Sequence, residues 1–228
     1  MSDLLTLDNC QFVINLLLFR HTLKFTKMKT FFFTFFIGLA FVSFGQDAMY
    51  EICPIKNAQK VPSATVYNLS GETIDLKKHI GDKPTIVVFY RGGWCPYCMR
   101  HLSALGEIKD SIDAMGFELI GVTPDDYSKL DTSITRSGAM DYTLLSDKDA
   151  NAMEAFGIGW KVNEELYTKY KNEYNMDLEW WSGNTTHVLP VPSVFIIKDG
   201  IIQYQHVDPN YTKRLSPDIL MAFLRALK

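Results

Sequence analysis

Cys95 and Cys98 stand three residues apart in IVVFYRGGWCPYCMRHLSAL, residues 86–105, within a chain of 228 residues that has only four cysteines. Two thiols at that spacing can cycle between dithiol and disulfide, supply half of a zinc site, or form a fixed staple. A staple closing so short a loop restricts the unfolded chain little. Haem attachment needs a histidine directly after the second cysteine, and Met99 stands there instead. His101 extends the pattern to Cys-x-x-Cys-x-x-His, with Cys53 as a further ligand, yet zinc sites usually draw on two ligand clusters. Reversible thiol chemistry is the reading these residues favour.

That chemistry needs a sulfur held at the junction of two elements. TIVVFY, Thr85 to Tyr90, is a continuous apolar run of strand length, as expected of a strand covered on both faces. From Pro96 the period changes, and Leu102, Leu105, Ile108 and Ile112 recur at helical spacing up to Gly116. Cys95 then falls at or near the N-cap, and Pro96 at the first helical position, where its missing N–H costs nothing. Cys98 follows on the same face of the first turn, within disulfide reach. The unpaired amides and the positive end of the helix dipole favour thiolate there and lower the pKa.

The surrounding chain alternates strands and helices. ATVYNLSGETIDL reads as an N-terminal hairpin, FELIGVTP as a second buried strand, and Asp125 to Ser137 as a helix. YTLLSD is a short strand, followed by a helix through Met153 and Phe156. PSVFIIKDGIIQYQHV is a hairpin with Asp199-Gly200 at its tip, and Ser216-Pro217 opens the last helix. Lys161 to His187 is polar and aromatic and reads as an insertion with some helix, either packed on the sheet or forming a lid with Tyr167, Tyr170, Tyr174, Trp180 and Trp181. The pattern predicts an α/β fold, a mixed central sheet flanked by helices.

Composition is that of an ordinary globular chain, 47% hydrophobic and 21% charged. Residues 1–45 read separately. Met28-Lys29 precedes the uncharged run TFFFTFFIGLAFVSFGQ, and Ser43-Phe44-Gly45 suits cleavage after Gly45, so Met28 reads as the start of an export signal. The expectation is a periplasmic or extracellular protein, with an uncleaved membrane anchor as the alternative. Residues 46–60 form a lead segment and 61–228 the domain. Without the first 45 residues, 19 basic stand against 24 acidic side chains, which recommends neither nucleic acid nor an anionic membrane as partner.

The Cys-Pro-Tyr-Cys motif with LPVPSVFII resembles the thioredoxin superfamily, in which such a pair faces a cis-proline opening the next strand. The resemblance gives that role to Pro192. VVFYRGGWCPYCMRHLSAL, LPVPSVFIIKDG and VDPNYTKRLSP are together similar to the peroxiredoxin-like branch of the alkyl hydroperoxide reductase / thiol-specific antioxidant family, from about Val61 onward. This resemblance implies a thioredoxin-like fold and a cofactor-free antioxidant enzyme. It would reduce hydroperoxides through Cys98 and Cys95, regenerated by an external thiol reductant such as a thioredoxin-like protein.

The peroxiredoxin signature is Pro-x-x-x-Thr-x-x-Cys. Aligned on the strand, Arg91 stands at its proline, Cys95 at its threonine and Cys98 at its peroxide-attacking cysteine. The threonine hydroxyl is therefore missing, and Arg91 and Arg214 are the candidates for the partner arginine. Protein disulfide exchange led by Cys95 is the rival reading, and a zinc or copper module a distant one. Copper carriers of this fold, for which His187 would be the distal ligand, space their cysteines one residue wider. Trp94 is expected to shield the sulfurs or to pack in the core. Arg100 and His101 are expected to be solvated, and Cys53 to be a bystander.

Overall fold

The computed structural model describes residues 48–138 and 142–227. The export signal read in residues 1–45 lies outside them. Strand β1 (Thr65–Tyr67) and β2 (Thr73–Asp75) form the expected hairpin, and Asp75 caps the short α1 (Leu76–Ile80). Strand β3 (Thr85–Phe89) leads into α2 (Pro96–Glu107), which α3 (Lys109–Ala114) continues. The single helix expected from Pro96 to Gly116 is thus broken at Ile108, whose amide tightens onto Leu105 O at 3.3 Å. Next come β4 (Glu118–Thr123), α4 (Leu130–Ser137), β5 (Thr143–Ser146) and α5 (Asn151–Ala155).

The insertion contains more order than its polar sequence suggests. Strand β6 (Gly159–Lys161) pairs with β7 (Val188–Pro190), and between them lie α6 (Glu164–Glu173) and α7 (Leu178–Ser182). Asn163 and Asp177 cap the two helices through their side chains. The chain closes with β8 (Ser193–Lys198), β9 (Ile201–Val207) and α8 (Pro217–Ala226). Asp199 and Gly200, at φ 54° and 68°, make the β8–β9 turn with both central residues left-handed.

The main sheet runs β2-β1-β5-β4-β3-β8-β9, with β5, β4 and β3 parallel and the other pairings antiparallel. Side chains along its central strands alternate between two cores. Ile86, Val88, Tyr90, Val194 and Ile196 face α2 and α8, whereas Val87, Phe89, Phe195 and Ile197 face α1 and α5. The two-sided burial explains why β3 reads as an unbroken apolar run. It also places the end of β3, and the motif that follows, against the α2–α8 core.

Candidate active site

The motif leaves β3 through Arg91 and the turn Gly92-Gly93. Gly92 sits at φ 147°, and a Cβ there would collide with the Trp94 indole nitrogen and stand 2.7 Å from Asp125 Oδ1. A Cβ on Gly93 would lie 2.6 Å from Ser133 Oγ. Both glycines let the backbone pass between Trp94, Asp125 and α4. Cys95 is the N-cap of α2 and Pro96 the first helical residue, as the sequence predicts. The Cys95 sulfur accepts the cap hydrogen bond from the Cys98 amide at 3.3 Å.

Both thiols are free and both are buried, Cys95 at 2% exposure and Cys98 at 0%. Their settings differ. Arg214 Nη2 donates to Cys98 Sγ at 3.4 Å, so of the two candidate arginines this one reaches the sulfur. Burial pushes the Cys98 thiol up, but the Cys95 S–H donated to it, the Arg214 charge and the Arg91 backbone amide outweigh that and bring it down to about 6. Cys95 moves the other way, its proton held in the hydrogen bond to Cys98 and its thiolate disfavoured by burial. The helix-terminal amide of Cys98 does favour a thiolate on the cap residue Cys95, but the hydrogen bond to Cys98 and burial outweigh it. The pair shares one proton.

Arg214 is fixed by the loop before α8. Its guanidinium donates to the carbonyl oxygens of Tyr211 and Lys213, and the Asp208 and Asn210 side chains close local turns by accepting from the amides of Asn210 and Thr212. His101 anchors the next residue. Expected to be solvated, it is 7% exposed, and its Nε2 donates to Leu215 O at 3.1 Å. Burial lowers its pKa to about 4, helped by the Arg214 charge, so the ring is neutral and carries its proton on Nε2. Arg100 does point to solvent, over the Tyr97 ring.

Asp125, read only as the start of a helix, is buried directly behind the motif. Its Oδ2 accepts from the Gly93 amide at 2.7 Å, and burial raises its pKa to about 8 despite that bond. No sequence period marks it, because its burial depends on the Gly92-Gly93 turn folding over it.

Arg91 and Trp94 are both in the site. The Arg91 guanidinium lies 5.0, 5.5 and 4.7 Å from the ring centroids of Trp94, Tyr170 and Tyr211, and donates to the Tyr170 hydroxyl at 2.6 Å. The insertion therefore closes one side of the site. Tyr167, Tyr170 and Trp181 are buried, while Tyr174 and Trp180 are exposed. Cys95, but not Cys98, lines a cavity of about 840 Å³ bounded by Arg91, Trp94, Trp160 and Tyr170.

Other expectations are not met. Among the described residues no peptide bond is cis, so Pro192 does not carry the expected cis bond. The chain arrives from β7, with Val191 N bonded to Ile158 O at 2.8 Å. Pro192 still opens the strand beside β3, since Ser193 pairs with Phe89. The ligands weighed for a metal do not gather around the pair. Cys53 is exposed, and its carbonyl packs on Gly157, next to Phe156 in the opposite core. His187 stacks on Tyr167 at 4.0 Å and bonds Glu179 at 2.9 Å.

Comparison with known proteins agrees with this architecture. The AhpC/TSA family pattern matches residues 58–205. The putative peroxiredoxin bcp of Haemophilus influenzae is 29% identical over 105 residues, 46% of this chain and 66% of that one. Peroxiredoxin Bcp of Escherichia coli is 27% identical over the same shares. The chain thus spans just under two thirds of the length of these curated relatives. A reduced peroxiredoxin from Vibrio vulnificus in complex with hydrogen peroxide superposes with a TM-score of 0.61 at 17% identity, covering 75% of this chain and 99% of that one. Peroxidoxin BcpB from Mycobacterium tuberculosis gives 0.58, also at 17%, over 76% and 99%. At such identity these likenesses establish a thioredoxin-like fold. With the family pattern spanning most of the described residues, the chain belongs to the AhpC/TSA family.

Proposed function

We propose that the protein is a thiol peroxidase in which Cys98 attacks a hydroperoxide and Cys95 resolves the product. The observation that carries this reading is the Cys98 sulfur in the first turn of α2, 3.4 Å from the Arg214 guanidinium, with Cys95 beside it. The thiolate attacks one peroxide oxygen and the O–O bond breaks. An alkoxide or hydroxide leaves with the electron pair and takes up a proton, and Cys98 becomes a sulfenic acid. Arg214 faces the charge on both sulfur and peroxide and does the electrostatic work that the absent threonine hydroxyl would share. The Cys95 sulfur then displaces water from Cys98, and an external thiol reductant reopens the disulfide. Family membership and the peroxiredoxin names of its relatives support this reading. Export to the periplasm or beyond is part of the same proposal, supported by the basic Met28-Lys29 and the uncharged run behind it; the mass of the mature protein from its native host tests that, cleavage after Gly45 being the expected result and an intact N-terminus indicating the membrane anchor.

Disulfide exchange is the second reading, favoured by one observation: Cys95 lines the open cavity and Cys98 does not. Single-turnover oxidation separates the two. One equivalent of hydrogen peroxide added to the reduced protein should consume two thiols and yield the Cys95–Cys98 disulfide, read by mass. Thiols that survive peroxide but are oxidised at once by a disulfide-bonded protein would leave the exchange reading in its place.

A further inference from the structure

The cavity beside Cys95 has a charge pattern that peroxide reduction alone does not explain. Arg91, Arg136 and Lys169 line it, and among the described residues no carboxylate does. None of the three forms an ion pair among the described residues. Arg91 is 4% exposed, yet its Nε has no partner and its guanidinium makes one side-chain hydrogen bond, to Tyr170. Three aromatic rings surround it and offset part of the cost of burial, but they carry no net charge. A buried cation without a counter-ion is costly, and here the residue lines a space large enough for a small molecule.

The redox cycle sharpens the point. In the dithiol form the pair holds one negative charge, on the sulfur that Arg214 faces. In the disulfide form neither sulfur is charged, and the pair no longer offers Arg91 a nearby anion. We infer that this cavity binds a carboxylate-bearing low-molecular-weight thiol, which docks its carboxylate on Arg91 and reduces the Cys95–Cys98 disulfide by attacking Cys95. The inference rests on the peroxidase reading and names its reductant. Cys95 is the sulfur at the cavity wall, so the incoming thiolate forms its S–S bond there. The Cys95–Cys98 bond breaks, and Cys98 leaves with the electron pair as the thiolate facing Arg214. A low-pKa leaving thiol speeds exchange. A second thiol then attacks the outer sulfur of the mixed disulfide, releasing the small disulfide and returning Cys95 as a thiol after proton uptake.

The test starts from protein oxidised to the Cys95–Cys98 disulfide with diamide, so it does not depend on peroxide reactivity. Reduction by 3-mercaptopropionate, 2-mercaptoethanol and cysteamine is followed by rapid mixing and expressed per thiolate. The anionic thiol should react about 10- to 100-fold faster than the neutral one, as a charge-assisted hydrogen bond allows, and the cationic one slowest. The preference should shrink with added salt, and in Arg91→Gln. Lys169→Glu, at an exposed position, should reduce it too and serves where the Arg91 variant fails to fold. Equal rates across the series, or a preference indifferent to both variants, would overturn the inference while leaving the peroxidase reading intact. A carboxylated hydroperoxide that outpaces a neutral one in single-turnover oxidation, with no preference among the thiols, would assign the cavity to the peroxide and likewise overturn it. Failure of hydrogen peroxide to oxidise the dithiol would instead remove the peroxidase reading.

Discussion

The two faces of the sheet bury different kinds of group. On the α1–α5 face, Phe89, Phe156 and Phe195 pack ring to ring, with centroids 4.9 to 5.9 Å apart. The one buried carboxylate beside them, Asp147, is used up by structure, its two oxygens accepting from the amides of Ala152 and Met153 at 2.9 and 2.8 Å. On the α2–α8 face lie two thiols, Arg91, His101 and Asp125, all buried, and Arg91 keeps an unpartnered donor. His101 and Asp125 also close on the backbone, at Leu215 O and the Gly93 amide, whereas the Arg91 Nε does not. The first face supplies apolar packing, and the second gathers the titratable groups of the site.

The largest effect that should break this division is on the apolar face. Phe156→Ala should destabilise by about 3–5 kcal/mol, the usual cost of emptying a buried aromatic site. A denaturant midpoint reads that loss, and the pH profile of Cys98 alkylation in the folded variant should not move. A shifted profile would mean that the two faces are not separable.

A smaller effect is expected on the other face. The Cys98 thiolate forms as pH rises through its pKa, so its reaction with iodoacetamide should climb with a midpoint near 6. Arg214→Gln removes the cation beside the sulfur and should raise that midpoint by about 1–3 units. Near pH 7 the thiolate fraction, and the rate with hydrogen peroxide, should fall about twofold for a one-unit rise and roughly tenfold for a two-unit rise. An unmoved midpoint would show that the Arg91 amide and Cys95 suffice.

Asp125 should change the pH dependence of stability rather than the reactivity of the pair. Its folded pKa, about 8, exceeds the ordinary value of 3.8, so between those limits the unfolded chain ionises while the folded carboxyl stays neutral. Stability should therefore fall as pH rises from about 4 to 8. Asp125→Asn keeps an acceptor for the Gly93 amide and should flatten that slope, by at most about 1.4 kcal/mol per pH unit. Asp147, raised to about 7 by burial, keeps its own share of the slope. An unchanged slope would place the Asp125 carboxylate, charged, in the folded protein.

Local chemistry explains which features could be read in advance. Cys95 and Pro96 at a helix start, Asp199-Gly200 at a turn and Ser216-Pro217 before α8 each act on the nearest few residues, and each stands where the sequence puts it. The same holds for the two-sided burial of β3. The site's electrostatics depend on distant segments. Arg214 reaches Cys98 across 116 positions, and His101 is buried only because Leu215 lies over it. Arg91 meets Tyr170 across 79 positions, through an insertion whose sequence showed some helix but not which residues it turns toward the site. The cis bond expected at Pro192 came from resemblance, and the described chain has none.

The central claim is that Cys98 attacks and Cys95 resolves, and mapping the first oxidation product tests it most directly. Cys95→Ser and Cys98→Ser are each treated with hydrogen peroxide in the presence of a sulfenic-acid trap and digested for mass spectrometry. The account predicts a trapped adduct on Cys98 in the first variant and an inert Cys95 in the second. An adduct on Cys95 in the Cys98→Ser protein, with Cys98 unreactive in its counterpart, would contradict it.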